Sequence, residues 1–133
     1  MKKFSLSKNE RIKKRKSFEQ IYLGGRFLIS SDKKLKLIYL ENNFDEKEIV
    51  QIAVAVSKKA GKAVWRNRMK RLVREAYRLN KLELLEFCKQ ENKSVLIVFS
   101  PYVLNEKQNK KIELFEITPG IVDLMNKLKS ILR

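Results

Sequence analysis

The clearest pattern of apolar and polar positions lies in the middle of the chain. Five apolar residues there are separated by four, three, four and three positions: Trp65, Met69, Leu72, Ala76 and Leu79. This spacing places them on one face of an α-helix, with Val73 at the edge of that face. The pattern predicts an amphipathic helix over residues 63–79 that packs on the rest of the domain.

Shorter apolar segments predict four β-strands, because they alternate with polar residues or are rich in β-branched side chains. The predicted strands are residues 26–29, 35–40, 49–56 and 94–100. The polar stretch 41–47 predicts a hairpin connection.

The first predicted helix is short. Ser17 is its predicted N-cap, and Gly24 and Gly25 are expected to end it in a left-handed conformation. Phe18 and Tyr22 share one face of this helix. Two interpretations fit them: they are core residues, or they border a surface on which nucleic-acid bases stack.

The central helical pattern continues loosely over 80–89. Thr118 as N-cap with Pro119 at the first helical position begins a final helix. Residues 102–117 show no clear period. The resulting order α-β-β-β-α-β-α predicts an α+β fold, an α/β sandwich in which helices cover one small sheet.

The chain is strongly basic, with 31 Lys and Arg against 15 Asp and Glu and a net charge of +16. Such a charge indicates an anionic partner, nucleic acid first and a membrane surface second. Residues 1–16 contain eight basic side chains and one acid, Glu10, so they predict a flexible basic N-terminal arm on a single domain spanning 1–133. There is no membrane-spanning or secretory segment and only one cysteine, so the expected location is cytoplasmic.

Basic residues also dominate the central helix. Residues 63–79 contain six basic side chains and one acid, Glu75; the basic ones are Arg66, Arg68, Lys70, Arg71, Arg74 and Arg78. Like charges four residues apart repel one another on a helix, and a polyanion would offset that repulsion. The alternative is a solvated face, although solvated faces normally mix both signs.

The composition argues against a protein catalyst. The chain has no histidine, which excludes histidine acid–base chemistry and histidine metal ligation. Cys88 has no histidine to activate it and is expected to be a buried small hydrophobe. The only dense acids lie in 41–48, where a surface turn explains them. We therefore predict no catalytic residue and no metal site in the protein.

One long motif resembles a known family. The residues that carry it begin with Val56-Ser57-Lys58-Lys59 and Gly61 and continue through Ala63-Val64, Arg66-Asn67-Arg68, Lys70-Arg71, Arg74 and Ala76. They resemble the signature of the bacterial ribonuclease P protein subunit, whose "RNR" motif matches Arg66-Asn67-Arg68. The basic arm followed by Ser17-Phe18 and Tyr22 is also similar to that family's N-terminal helix, and the resemblance covers roughly residues 11–100.

The resemblance implies a fold and a function. The implied fold is a small mixed four-stranded sheet with a left-handed βαβ crossover, against the usual right-handed rule. The implied function is that of a protein cofactor of a catalytic RNA, which removes the 5′ leader from precursor tRNA. In that family the RNA does the catalysis and binds most of the magnesium.

The resemblance also implies site residues. RNA contacts are expected at Lys58, Lys59, Arg66, Asn67, Arg68, Lys70, Arg71 and Arg74. Phe18 and Tyr22 are expected to line a leader-binding cleft beside the sheet. The implied partners are the ribonuclease P RNA and the precursor tRNA leader, with no membrane and no DNA.

Three other functions are alternatives to this one. Composition alone permits a ribosomal or other structural RNA-binding protein, which the RNA that co-purifies would identify. A protein nuclease needs a general base or a carboxylate metal cluster, and assaying the protein without RNA discriminates it. A DNA-binding regulator would insert the basic helix into the major groove, but nothing before that helix resembles the first helix and short turn of a helix-turn-helix.

Overall fold

The computed structural model describes residue 6 and residues 10–41 and 49–132. The predicted hairpin connection over 41–47 therefore lies almost wholly outside the described residues. The elements, in chain order, are α1 (Arg15–Gly24), β1 (Arg26–Ile29), β2 (Leu35–Glu41), β3 (Val50–Val54), a 3₁₀ turn (Lys58–Ala60), α2 (Ala63–Asn80), α3 (Leu82–Gln90), β4 (Val95–Pro101) and α4 (Leu114–Leu132).

The four strands form one mixed sheet in the order β1-β2-β4-β3. β2 pairs antiparallel with both β1 and β4, and β3 pairs parallel with β4. The chain between β3 and β4 passes through α2 and α3, which is the crossover that a parallel pair needs. The α+β fold predicted from the sequence is confirmed.

The two faces of the sheet carry two apolar clusters. On one face, α2 and α4 cover side chains such as Val54, Ile97 and Phe99, and Phe99 packs against Tyr77 of α2 with ring centroids 5.9 Å apart. On the other face, α1 covers a smaller cluster with Ile21 at its centre, completed by Ile12, Ile38, Leu96 and Val98. β4 is buried on both faces from Val95 to Phe99, which explains its uninterrupted apolar sequence.

The start and end of α1 differ from the prediction. The helix begins at Arg15 with Lys14 as its N-cap, so Ser17 lies inside it. It ends at Gly24 as expected, but Gly25 has φ −77°, which is not left-handed. Gly25 is needed for space instead: its N–H donates to the Ile21 carbonyl at 2.7 Å, and a Cβ there would collide with that oxygen and with Ile38.

α4 begins at Leu114, so the predicted start at Thr118 and Pro119 is wrong. The backbone N–H of Glu113 donates to the Glu116 carboxylate at 2.7 Å, which is half of a capping box five residues before the predicted N-cap. Pro119 lies inside the helix, and the Thr118 hydroxyl donates to the Leu114 carbonyl at 2.9 Å beside it. The sequence pattern misplaced the start because proline is far commoner at a helix start than in its interior.

The buried face of α2 is rotated relative to the prediction. Trp65, Met69 and Ala76 are buried as expected, but Leu72 is half-buried and Leu79 is exposed. Their places are taken by Val73 and by Tyr77, which is fully buried. The buried face is therefore shifted toward the side of the helix that carries Arg66 and Lys70, and both of these residues are half-buried.

The end of the N-terminal arm packs on the sheet. Ile12 is 7% exposed, and its N–H donates to the Ile52 carbonyl at 2.8 Å at the outer edge of β3. Ile12 therefore gives the basic arm predicted over residues 1–16 an apolar anchor on the sheet. Cys88 is fully buried on α3, as expected.

Candidate nucleic-acid interface

The basic face of α2 has graded exposure. Asn67 and Arg71 are exposed, and Arg66, Lys70 and Arg74 are half-buried at the flank of the helix. The Arg66 Nε donates to the Gly61 carbonyl at 3.1 Å, which holds the first turn of α2 against the preceding loop. The polar and charged ends of these side chains thus extend to the surface, while the opposite side of α2 packs in the core.

Arg68 has different surroundings from the other predicted RNA contacts. Its Nε and Nη2 donate to the Ile112 carbonyl at 3.3 and 2.8 Å, and Nη2 lies 3.4 Å from a Glu113 carboxylate oxygen. These bonds tie α2 to the segment that precedes α4. The sequence pattern missed this role, because the partners lie 44 positions away.

The positive charge of Arg78, the last basic residue of α2, is neutralised by an acid on the same helix. Arg78 forms two hydrogen bonds with Glu75, the acid three positions earlier. This contact lowers the pKa of Glu75 and raises the pKa of Arg78. The net positive part of the helix surface therefore ends near Arg74.

The two predicted lysines before α2 lie on the 3₁₀ turn. Lys58 and Lys59 are exposed, and the Ser57 hydroxyl oxygen accepts from the Lys59 N–H at 3.2 Å. Glu106 braces the turn: its N–H donates to the Ala60 carbonyl at 2.7 Å, and its carboxylate accepts from the Lys62 N–H at 2.8 Å. Lys58 and Lys59 are therefore exposed on a turn that Glu106 holds in place.

Trp65 anchors the same region. Its indole Nε1 donates to the Asn109 carbonyl at 3.0 Å. A Cβ at Gly61 would lie 2.8 Å from the Trp65 ring and 2.8 Å from Glu106, so only glycine allows the loop to approach this closely. The segment 102–117 showed no clear period in the sequence. Its residues 102–113 form a strap across the start of α2, and 114–117 begin α4.

An open cleft of about 640 Å³ lies beside the 3₁₀ turn, on the sheet face that α1 covers. Three partly exposed aromatic rings line it: Tyr22 at 55% exposure, Phe27 at 62% and Tyr102 at 48%. The Lys36 Nζ lies 5.9 Å from the Phe27 centroid and 6.0 Å from the Tyr102 centroid. Lys59 also lines the cleft, so the cleft and the basic start of α2 are continuous.

The two aromatics predicted for a cleft are separated by the structure. Tyr22 lines the cleft, whereas Phe18 is half-buried and packs against the cluster around Ile21. Phe18 is not among the residues that line the cleft.

Three residues that line the cleft were not predicted from the sequence: Phe27, Lys36 and Tyr102. The signal for Lys36 was its alternation with Leu35 and Leu37, which places it on the opposite sheet face. Phe27 could have been placed only with the strand register, in which it lies opposite Ile38.

Two further properties bear on the chemistry of the site. Over residues 6, 10–41 and 49–132, no three acidic or cysteine side chains come together in a way that would hold a metal ion. Within the same part of the chain, no helix is long and apolar enough to cross a bilayer.

The fold and this surface define a small, strongly basic α+β protein in which an aromatic cleft adjoins a basic helix. Residues 6–117 match the model of the family Ribonuclease P, and the chain belongs to that family.

Individual relatives and solved structures agree with this assignment. The chain is 47% identical over 81 residues to the ribonuclease P protein component of Syntrophus aciditrophicus, a match that covers 61% of this chain and 64% of the relative. It is 42% identical over 77 residues to that of Clostridium acetobutylicum, which covers 58% and 62%. These matches span less than two thirds of the relatives' own length.

The fold is that of solved ribonuclease P proteins. The protein from Thermotoga maritima superposes with a TM-score of 0.69 at 24% identity, over 89% of this chain and 96% of that chain. The Staphylococcus aureus protein superposes with a TM-score of 0.67 at 24% identity, over 90% and 95%.

Proposed function

We propose that this protein is the protein cofactor of a ribonuclease P ribozyme in the cytoplasm. It binds the catalytic RNA and the 5′ leader of precursor tRNA, and it promotes the endonucleolytic cleavage that matures the tRNA 5′ end. The observation that carries this proposal is the cleft with three partly exposed aromatic rings and two lysines next to the basic start of α2.

The cleft has the chemistry to hold a single-stranded leader. Bases stack on aromatic rings whatever their sequence, because every base has a π-face. Tyr22, Phe27 and Tyr102 supply such rings, and Lys36 and Lys59 supply cations for the phosphates between the bases. A leader of varied sequence is therefore a suitable occupant.

The basic face of α2 suits the catalytic RNA. Neutral Asn67 and cationic Lys70, Arg71 and Arg74 lie along it, and Lys58 and Lys59 extend it toward the cleft. Contacts of this kind go mainly to phosphates and position the protein without reading sequence. The predicted contact at Arg66 fits the same face, whereas Arg68 would contribute by fixing the strap.

We assign the chemistry to the RNA and its magnesium ions. The chain has no histidine to act as general base. The protein's contribution is then to bind leader and ribozyme together and to neutralise phosphates, which lets the RNA fold and hold metal at lower magnesium.

The affinity of the protein–ribozyme complex for precursor tRNA with a leader, compared with mature tRNA, tests the proposal. We expect the protein to increase affinity for the leader-containing substrate and to leave mature tRNA nearly unchanged. Equal enhancement of both would contradict leader binding. Co-purification with ribosomal RNA, and not with the ribozyme, would favour a structural RNA-binding role.

A further inference from the structure

The end of the N-terminal arm is fastened to the edge of the sheet. β3 is the last strand in the order β1-β2-β4-β3, so one of its edges is open to another segment. Arg11 forms a parallel bridge with Ile52 there, and Ile12 adds a backbone hydrogen bond of 2.8 Å. Arg11 is thus held in register beside β3 while its own side chain is exposed.

A buried ion pair fastens the residue just before Arg11. The Lys81 Nζ lies 3.0 and 2.7 Å from the two carboxylate oxygens of Glu10. The Lys81 side chain is 2% exposed and that of Glu10 is 14% exposed. A buried ammonium is costly without a partner, so the pair strongly favours the docked arm over a free one. Lys81 joins α2 to α3, and the pair therefore links the arm to the end of the basic helix.

This attachment places Arg11 on the side of α2 that carries Arg74. Glu10, the residue before Arg11, is bonded to Lys81 at the end of α2, and Lys81 lies seven positions after Arg74 and therefore on the same helix face. In agreement with this placement, the positive charge of Arg11 lowers the pKa of Arg74, after the larger effect of burial. Two guanidinium groups held close on a chain of net charge +16 repel each other. A phosphate shared between them converts that repulsion into attraction, and guanidinium forks match phosphate oxygens.

We propose that Arg11 is a further RNA-binding residue, which with Arg74 holds phosphate of the catalytic RNA, and that the Glu10–Lys81 pair positions it. The proposal rests on the proposed function and adds a residue outside the motif of α2. In this proposal Glu10 supports RNA binding although it is an acid, because it holds Arg11 in position.

The test measures affinity for the ribonuclease P RNA at several salt concentrations. Arg11→Gln should weaken binding about tenfold at low salt, as expected for the loss of one exposed charge-assisted contact. The slope of log affinity against log salt should become shallower by roughly 0.7–0.9. Lys89→Gln, which removes an exposed charge on α3, is the matched control and should change affinity by less than about twofold.

The double variant Glu10→Gln/Lys81→Met tests the positioning role. It leaves net charge unchanged and leaves no buried ammonium without a partner, so overall electrostatics predict wild-type binding. The proposal predicts a loss similar to that of Arg11→Gln. It also predicts that Arg11→Gln has little further effect in this background, because the two changes remove the same contact.

Two results would overturn the inference: Arg11→Gln behaving like Lys89→Gln, or a folded Glu10→Gln/Lys81→Met protein binding like the wild type. If the double variant does not fold, the cycle of Arg11→Gln with Arg74→Gln decides, since additive losses contradict a shared phosphate. Failure of the wild-type protein to bind the RNA would instead contradict the proposed function.

Discussion

Arg68 and Arg71 lie about one turn apart on α2, yet their surroundings differ. Arg68 donates to the Ile112 carbonyl and approaches Glu113, whereas Arg71 is exposed. A guanidinium that is already bonded within the protein contributes to stability, and an exposed one is available to a phosphate. The charge pattern alone does not separate these roles.

We expect Arg68→Gln to lower the free energy of unfolding by about 1 kcal/mol, a modest value because the side chain is partly exposed. Arg71→Gln should leave the melting temperature unchanged and make the salt dependence of RNA binding shallower. Urea unfolding and binding titrations on both variants measure these effects. Equal effects of the two variants on RNA binding, with equal stability, would contradict the distinction.

The two aromatic residues of α1, Tyr22 and Phe18, also have different expected roles, one in binding and one in stability. Tyr22→Ala should weaken binding of a leader-containing substrate by about 1–3 kcal/mol, the usual cost of losing a stacked base. Phe18→Ala should mainly lower the melting temperature, because Phe18 packs against the cluster around Ile21. Phe115→Ala, at an aromatic that is 74% exposed and outside the cleft, is the control. Weaker leader binding by the control than by Tyr22→Ala would refute the assignment.

Cys88 connects burial to pH dependence. Burial raises the pKa of its thiol from 9.0 to about 11, with a smaller effect from the charge of Glu41. Because the folded pKa lies above the unfolded one, this contribution to stability is complete below pH 9 and is lost as the pH rises to about 11. The difference in unfolding free energy between wild type and Cys88→Ala should therefore shrink over that interval. A constant difference would show that the thiol ionises equally in both states.

At the scale of elements, α2 shows how packing decides which face of a helix is buried. Val73 and Tyr77 are fully buried, and Leu79 is 42% exposed. The neighbours Phe99 and α4 determine this rotation, and neither is adjacent in sequence. Periodicity identifies the helix and its approximate face but does not fix the rotation to within one residue.

Val73→Ala should therefore destabilise the protein by about 2 kcal/mol, through lost apolar contact and the cavity that remains. Leu79→Ala should cost less than about 1 kcal/mol although it removes a larger side chain, because Leu79 is partly in water. Denaturant unfolding of both variants tests the rotation. A larger loss of stability for Leu79→Ala than for Val73→Ala would instead support the buried face that spacing predicted.

Much of the fold could be predicted from local sequence patterns. β4 and α2 are strongly patterned, so their type and approximate ends were recovered. The start of α4 was missed because Pro119 lies where helices rarely tolerate proline. The lining of the candidate cleft could be predicted only in part, because Lys36 and Tyr102 converge with Tyr22 through strand register and folding of the strap.

At the scale of the whole molecule, charge and shape have separate roles. The net charge of +16 favours binding to any RNA and is weakened by salt. The cleft supplies what charge alone does not, a place for unpaired bases next to the basic helix. Together they support the proposed function, in which the protein joins a substrate's single strand to a large RNA that does the chemistry.

The most direct measurement of this central claim is cleavage of precursor tRNA at low magnesium by three samples: the ribonuclease P RNA alone, the RNA with this protein, and the RNA-free protein. We expect cleavage at the mature 5′ end only when both components are present, and none from the protein. Cleavage by RNA-free protein would contradict the assignment of catalysis to the RNA. Equal rates with and without the protein would contradict its role as a cofactor.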